Sequence, residues 1–305
     1  MATGAPQKTI RKTAPKILRA RRLSALPWLV HGFSTRAGGF SRAYGKADLN
    51  LGFTKDDSRT TVERNRAAFL RELGAVTRAR RGSSKAGQSL WPLVTLRQIH
   101  SDIIHCVESL PREQLVGDGL ITATPGLLLA IQTADCIPVI VVDTKRHAVG
   151  VFHAGWRGTV KRIVEKGVGE MVRCFGSRPR DLEAAIGPGI QGCCYEVGEA
   201  VRIKFESQFE YGASLFREAK ESDPVRDKYP LLFLTARAPG HGELPPKIFL
   251  DLVEANRQQL LAAGVPKKNI EASPHCTNCH PELLFSYRAE KGKTGRMMGV
   301  AGIWA

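Results

Sequence analysis

The chain has 305 residues, 43% of them hydrophobic and 24% charged, with a formal net charge of +16. This is the ordinary balance of a globular protein of one large or two small domains, and no run of 18 apolar residues is present to span a membrane. The charge carries no RNP-type or helix-turn-helix signature, and an even basic surface suits anionic small molecules as well as RNA, so charge alone does not decide and a non-catalytic RNA binder ranks last among the readings.

The first 22 residues hold seven of the Lys and Arg residues and no acid, and removing them still leaves +9. They lack the apolar stretch of a secretory signal, so a cytoplasmic location is expected. We expect residues 1–23 to form a basic, disordered extension and residues 24–305 a single catalytic domain. Seven cysteines, an odd number, argue for free thiols rather than a disulfide framework. Nothing in the pattern specifies an oligomeric state.

Beyond the extension, the Gly- and Ser-rich Val76–Trp91 segment reads as a mobile loop, and Glu206–Pro246 as a second weakly structured region. The β-branched runs LVTLRQIHS, GLLLAIQT, IPVIVV, AVGVFH and LEAAIGP read as strands. From Thr159, the apolar positions Val160, Ile163, Val164, Val168, Met171, Val172 and Phe175 follow a helical period that stops at Gly176. A second helix begins at Asp251 as N-cap and ends at Gly264, with Pro266 beyond it. Strands mixed with a few long helices, without a regular βαβ rhythm, predict a layered α/β domain rather than a doubly wound parallel sheet.

The segment Asp135–Thr159, DCIPVIVVDTKRHAVGVFHAGWRGT, reads as a hairpin. With Asp143–Arg146 as its turn, Val142 faces His147 and Cys136 faces His153. Opposed residues point to the same face of a sheet, roughly 4.5–5.5 Å apart at Cα. A thiolate and an imidazole so placed could share a metal ion or form a nucleophile–base pair. The Gly-Trp-Arg-Gly turn after His153 allows close ligand approach, its helix N-terminus offers N–H groups to an anion, and Arg157 adds a planar donor.

A catalytic zinc takes three protein ligands and one open position, and His100 in LRQIHS is the best third candidate. His105 falls on the opposite face and reads as structural. The HCTNCH stretch puts Cys276 and Cys279 at metal-ligand spacing without a matching second pair in the sequence, so reduced cysteines in a turn are the expectation there.

Taken together, FSTRAGGFS, LNLGF, RQIHS, GDGLIT, QTADCIPV, FHAGWRGT, AIGPGI with CCYEV, the Asp251–Leu260 helix, and CT followed by FSYR and TGR resemble the YfiH-like family, also called laccase-domain or polyphenol oxidase proteins. They span roughly residues 31–297 in the family's order. The resemblance implies an αββα layered fold and a mononuclear zinc held by His100, Cys136 and His153. It also implies a purine nucleoside enzyme that phosphorolyses adenosine, inosine or methylthioadenosine and deaminates adenosine, and some bacterial members are linked to peptidoglycan-precursor editing. The older laccase label implies copper-dependent phenol oxidation. Eight histidines with no His-x-His pair do not suit a four-copper centre, although a His2Cys site would take adventitious copper by the general affinity order. The chain departs from the pattern at Ser101, where glycine commonly follows the histidine, and at the added Cys279 and His280.

For such chemistry Arg36, Arg157 and Arg288 are phosphate-holding candidates, with Arg296 a further cation. Asn50 and Gln98 are candidates to hydrogen-bond ribose or base. Asp118 and Asp135 are candidates to orient the ligands, and Tyr287 or Phe33 to stack on a purine. A cysteine hydrolase or deamidase using Cys136 and His153 is the alternative reading.

Overall fold

The computed structural model describes residues 14–77, 89–220, 228 and 246–304. Its strands in chain order are β1 (Ile17–Leu18), β2 (Leu29–Ser34), β3 (Ala37–Ser41), β4 (Leu93–Val94), β5 (Ile104–Cys106), β6 (Gly119–Thr122), β7 (Leu128–Thr133) and β8 (Ile137–Asp143). They continue with β9 (Ala148–Ala154), β10 (Leu182–Ile186), β11 (Glu196–Val197), β12 (Phe216–Ala219), β13 (Lys247–Leu250), β14 (Ile270–Ala272) and β15 (Met297–Ile303). The helices are α1 (Arg59–Leu73), α2 (Trp156–Val160), α3 (Ile163–Phe175), α4 (Glu199–Gln208) and α5 (Leu252–Ala262).

Two mixed sheets form the centre, in the orders β1-β2-β15-β7-β4 and β14-β10-β8-β9-β6-β5, and a small third sheet runs β11-β13-β12. The alternation of side chains along a strand explains the layering. On β8, Ile140 and Val142 join Leu129, Ile131 and Ile303 of the other sheet in one buried cluster. Ile137, Val139 and Val141 point the opposite way, packing with Val164, Val168 and Leu260 of α3 and α5. On the far side, Val30 and Ala130 pack with Phe69, Leu70 and Leu73 of α1. Both faces of β8 and β9 are therefore buried, which accounts for their near-continuous apolar runs. The result is the expected αββα layering, and no helix among the described residues is long and apolar enough to cross a membrane.

Several boundaries differ from the sequence reading. The fold begins before Leu23: Ile17 pairs with Ser34 and Leu18 with Phe33, while Leu23 is itself buried in the core between the sheets. Part of the expected 1–23 extension is therefore the edge of a sheet; residues 1–13 lie outside the described part. The loop expected at Val76–Trp91 is described only at its ends, where Val76 and Leu90 form a β-bridge. Within Glu206–Pro246, the described part holds the end of α4 and β12, and residues 221–227 and 229–245 lie outside the description.

The helix expected from Thr159 is two helices. The Thr159 carbonyl accepts from Gln259 Nε2 at 2.7 Å and from the Arg162 N–H at 2.9 Å, a tighter turn than the bond to residue 163 of a continuous helix. Arg162 then adopts the left-handed region (φ 65°), its guanidinium bonded to Glu165 and to the Gln208 carbonyl. Further on, Gly176 caps α3 in the left-handed conformation and Asp251 caps α5 by accepting from the Glu254 N–H, both as expected.

The hairpin register is offset by two. Asp143 pairs with Ala148, and Pro138, not Cys136, faces His153. Asp143 Oδ1 accepts from the backbone N–H groups of Lys145 and Arg146, so Asp143 closes the ladder rather than opening the turn. His147 takes the left-handed conformation (φ 50°) and stacks on Trp28 at 4.2 Å. An offset of two keeps strand parity, so Cys136 and His153 still share a face.

A candidate metal centre and its cleft

Asp118, buried just ahead of β6, organises the site. Its Oδ1 accepts from His153 Nδ1 at 2.7 Å and from the His100 N–H at 3.0 Å. Its Oδ2 accepts from the Ser101 N–H, the Ser101 hydroxyl and the Ile99 N–H, at 2.6, 2.7 and 3.2 Å. One carboxylate therefore holds both histidine-bearing segments. Because a carboxylate only accepts, it requires the hydrogen on His153 Nδ1 and leaves Nε2 as the free ligand atom. The run expected to carry His100 as a strand is strand only at Leu93–Val94; His100 itself is left-handed (φ 57°), a conformation supported by these bonds.

Cys136 is aimed from the other side by Asp135, also left-handed at φ 83°. Thr277 Oγ1 donates to Asp135 Oδ1 at 2.6 Å, and the Arg288 N–H donates to Oδ2 at 2.7 Å. His100 Nε2 stands 3.9 Å from Cys136 Sγ, and the two imidazole rings meet edge-on at 4.9 Å. The ligand atoms of His100, Cys136 and His153 all lie within 4.8 Å of one another. Gly155 makes room for them, since a Cβ there would stand 2.9 Å from both Cys136 Sγ and His100 Cδ2.

The electrostatics favour a charged pair, a thiolate beside an imidazolium whose Nε2 proton a metal ion would displace on binding. Burial opposes the Cys136 thiolate, but the His153 charge and bonds from both histidines outweigh it and bring the thiol down to about 6. Burial likewise opposes the His153 imidazolium, yet Cys136 and Asp118 push it up to about 9. Asp118 is held well below the carboxylate range: burial opposes its charge, but bonds from His153 and Ser101 prevail.

The three residues open into a cleft of about 680 Å³. Gln98, Arg157, Arg288, Arg296 and Tyr287, all candidates from the sequence, line it. Gln98 is tied on both ends of its amide to the backbone of Gln132, so it shapes the wall. Arg36 and Asn50 are not brought to the cleft. Arg36 pairs with Asp48 and Glu290 and donates to the Pro281 carbonyl, while Asn50 is fully buried, bonding Gly52, Asp57 and the Arg296 N–H. Both are joints of the scaffold. Phe33 is in the core between the sheets. The anion role foreseen for a helix N-terminus falls on α2, only five residues long, which leaves the guanidinium groups as the cationic feature. Sequence reasoning gave no role to Trp156 and Tyr195, both in the cleft wall, although they lie in two of the motifs it quoted, FHAGWRGT and CCYEV.

Two imidazoles and a thiolate, oriented by a buried carboxylate and facing a cleft through the exposed His100, fit a metal ion with an open coordination position. The fold and this donor set define the class: layered α/β proteins with one small His2Cys centre at the edge of the sheets. The profile of the family described as multi-copper polyphenol oxidoreductase laccase matches residues 30–304, and the chain belongs to this laccase-like YfiH family. It is 37% identical over 293 residues to a purine nucleoside phosphorylase of Deinococcus radiodurans, covering 95% of each chain. It is 36% identical over 219 residues to adenosine deaminase RL5 from an unknown prokaryotic organism, covering 69% of this chain and 74% of that one. The crystal structure of Bacillus licheniformis hypothetical protein YfiH matches with a TM-score of 0.76 at 31% identity, covering 97% of this chain and all of that one.

Proposed function

We propose that the protein is a metal-dependent purine nucleoside enzyme, which cleaves adenosine, inosine or methylthioadenosine with phosphate and deaminates adenosine. The observation that carries this reading is the His100–Cys136–His153 group opening into a cleft that also holds Arg157, Arg288 and Arg296 beside Trp156, Tyr195 and Tyr287. The names of the relatives, purine nucleoside phosphorylase and adenosine deaminase, support it. Zinc is the proposed metal; bound there, it supplies Lewis acidity toward a water or phosphate oxygen.

The protein's own residues do the rest. Arg157 and Arg288 place the phosphate, and the aromatic side chains give the purine a flat apolar surface. In phosphorolysis a phosphate oxygen bonds to C1′ of the ribose while the C1′–N9 bond breaks, its electron pair leaving with the purine, which takes up a proton. In deamination water adds at C6 and ammonia leaves. Burial, and then the nearby Cys136 charge, hold the Tyr195 phenol well above its usual range, so it is a hydrogen-bond donor at neutral pH, available to a purine nitrogen or a phosphate oxygen.

Product analysis with adenosine, with and without phosphate, tests the reading. Adenine and ribose 1-phosphate formed only with phosphate, and inosine with ammonia in either case, are the expected products. No product from folded, zinc-loaded protein overturns it. Covalent trapping of Cys136 by an acyl substrate would transfer the assignment to the cysteine hydrolase alternative.

A further inference from the structure

Four of the seven cysteines meet at a second point, apart from the His2Cys centre. Cys193 and Cys194 lie in the turn after β10, and Cys276 and Cys279 in the turn after β14. Their four sulfur atoms all lie within 4.8 Å of one another. Cys279 Sγ is 3.3 Å from Cys194 Sγ and 3.6 Å from Cys193 Sγ. A zinc–sulfur bond of about 2.3 Å sets the sulfur–sulfur edge of a tetrahedral cage at about 3.8 Å, so these separations suit one ion at the centre.

We infer that Cys193, Cys194, Cys276 and Cys279 form a second, structural zinc site, closed by four thiolates. The sequence conceals it because the ligands come from an adjacent pair and a Cys-x-x-Cys 82 positions apart.

The surroundings favour an ion over inert thiols. Backbone pairing fixes the two turns without help from sulfur: Gly189 bridges Cys276, and the Thr277 N–H donates to the Gly189 carbonyl at 3.1 Å. The backbone thus holds the two cysteine-bearing turns side by side. The Gln191 N–H points at Cys276 Sγ from 3.5 Å, a donor that stabilises a metal thiolate. An all-sulfur set of this spacing, tetrahedral around a central ion, selects zinc or iron.

The position gives the site a consequence. Cys194 is followed by Tyr195 of the cleft wall, and the next carbonyl, of Glu196, accepts from Arg288 Nη2 at 2.9 Å. Thr277, between the other two ligands, donates to Asp135, which aims Cys136. The second zinc therefore clamps two walls of the cleft together. This inference stands whether or not the substrate is a nucleoside.

Metal analysis of protein purified under reducing conditions tests it. The wild type is expected to hold two zinc ions per chain. Cys279→Ser and Cys193→Ser, both at exposed positions, should each hold one, as should Cys136→Ser, and Cys136→Ser/Cys279→Ser should hold none. Cobalt substituted into Cys136→Ser should show the strong charge-transfer absorption of a tetrathiolate centre, lost in the double variant. Should a serine variant fail to fold, mercurial titration of the wild type gives the same answer: a second zinc released as four thiols react. One zinc in the wild type and an unchanged content in Cys279→Ser would overturn the inference. So would iron in place of zinc, or two disulfides among the four cysteines.

Discussion

The Asp118 carboxylate and the His153 imidazole meet at 2.7 Å with both side chains buried, and the same carboxylate holds the backbone on either side of His100. On the proposed reading it would act on a bound metal through the two histidines it orients. Asp118→Asn offers one acceptor where the wild type offers two, and turns an amide N–H toward groups that donate. We expect metal affinity to fall 10–100-fold, the usual cost of losing such an orienting partner. Competition with a chelator checks this, and the content of the four-cysteine site should stay unchanged.

Two glycines test the shape of the centre with opposite outcomes. At Gly155 a methyl group would press on Cys136 Sγ and His100 Cδ2 at 2.9 Å, so Gly155→Ala should lower metal occupancy and turnover together. At Gly169, inside α3, nothing lies within 4 Å of the added carbon. Gly169→Ala should leave occupancy alone and raise stability by roughly 0.5–1 kcal/mol, the helix preference of alanine over glycine. Thermal unfolding and metal analysis of both variants decide it.

Arginines that look alike in sequence should separate in kinetics. Arg157→Ala removes a cation that lies over Trp156 at the cleft, and kcat/KM for phosphate should fall about 10–100-fold, the range for one charge-assisted hydrogen bond. Arg36→Ala should instead destabilise by roughly 1–3 kcal/mol, because it leaves the partly buried Asp48 without its partner. Its KM for phosphate should not change. A shift in that KM comparable to Arg157→Ala would return Arg36 to the site.

His31 on β2 gives the fold a pH dependence. Its ring is buried, and Nε2 has no hydrogen-bond partner. Burial first, and then the Arg19 charge, push its pKa from 6.5 down to about 4. As pH falls from 6.5 toward 4, the unfolded chain takes up a proton that the folded chain refuses, so stability is lost across that window and is fully present above it. The contribution is on the order of 3 kcal/mol. Denaturant unfolding at a series of pH values should show a flatter slope between pH 4 and 6.5 in His31→Phe than in the wild type.

The Cys136–His153 pair was legible in the sequence because strand alternation has a period of two, whereas His100 was a candidate by its motif alone and is held by Asp118 off any strand. Even with the turn misplaced, an offset of two residues leaves Cys136 and His153 on one face. The layered α/β class was legible in the mixed order of strands and helices without a regular βαβ rhythm, and the αββα arrangement came with the family resemblance. What escaped were choices made between distant segments. The break after Thr159 is held by Gln259 on the Thr159 carbonyl and by the Gln208 carbonyl on left-handed Arg162, contacts 100 and 46 residues away in sequence.

The sequence by itself determined the central strands β7 to β10, the Gly176 stop of α3, the Asp251 cap of α5 and which residue types stand ready for a metal, since these follow from local periodicity and side-chain chemistry. Tertiary structure alone decided that Arg157 and Arg288 share the cleft while Arg36 and Asn50 brace the scaffold, and that Cys193 and Cys194 meet Cys276 and Cys279. The physical reason is that a side chain's role depends on the partner that reaches it first. Asp48 and Glu290 claim Arg36, and the bridge between Gly189 and Cys276 brings two cysteine pairs to one point.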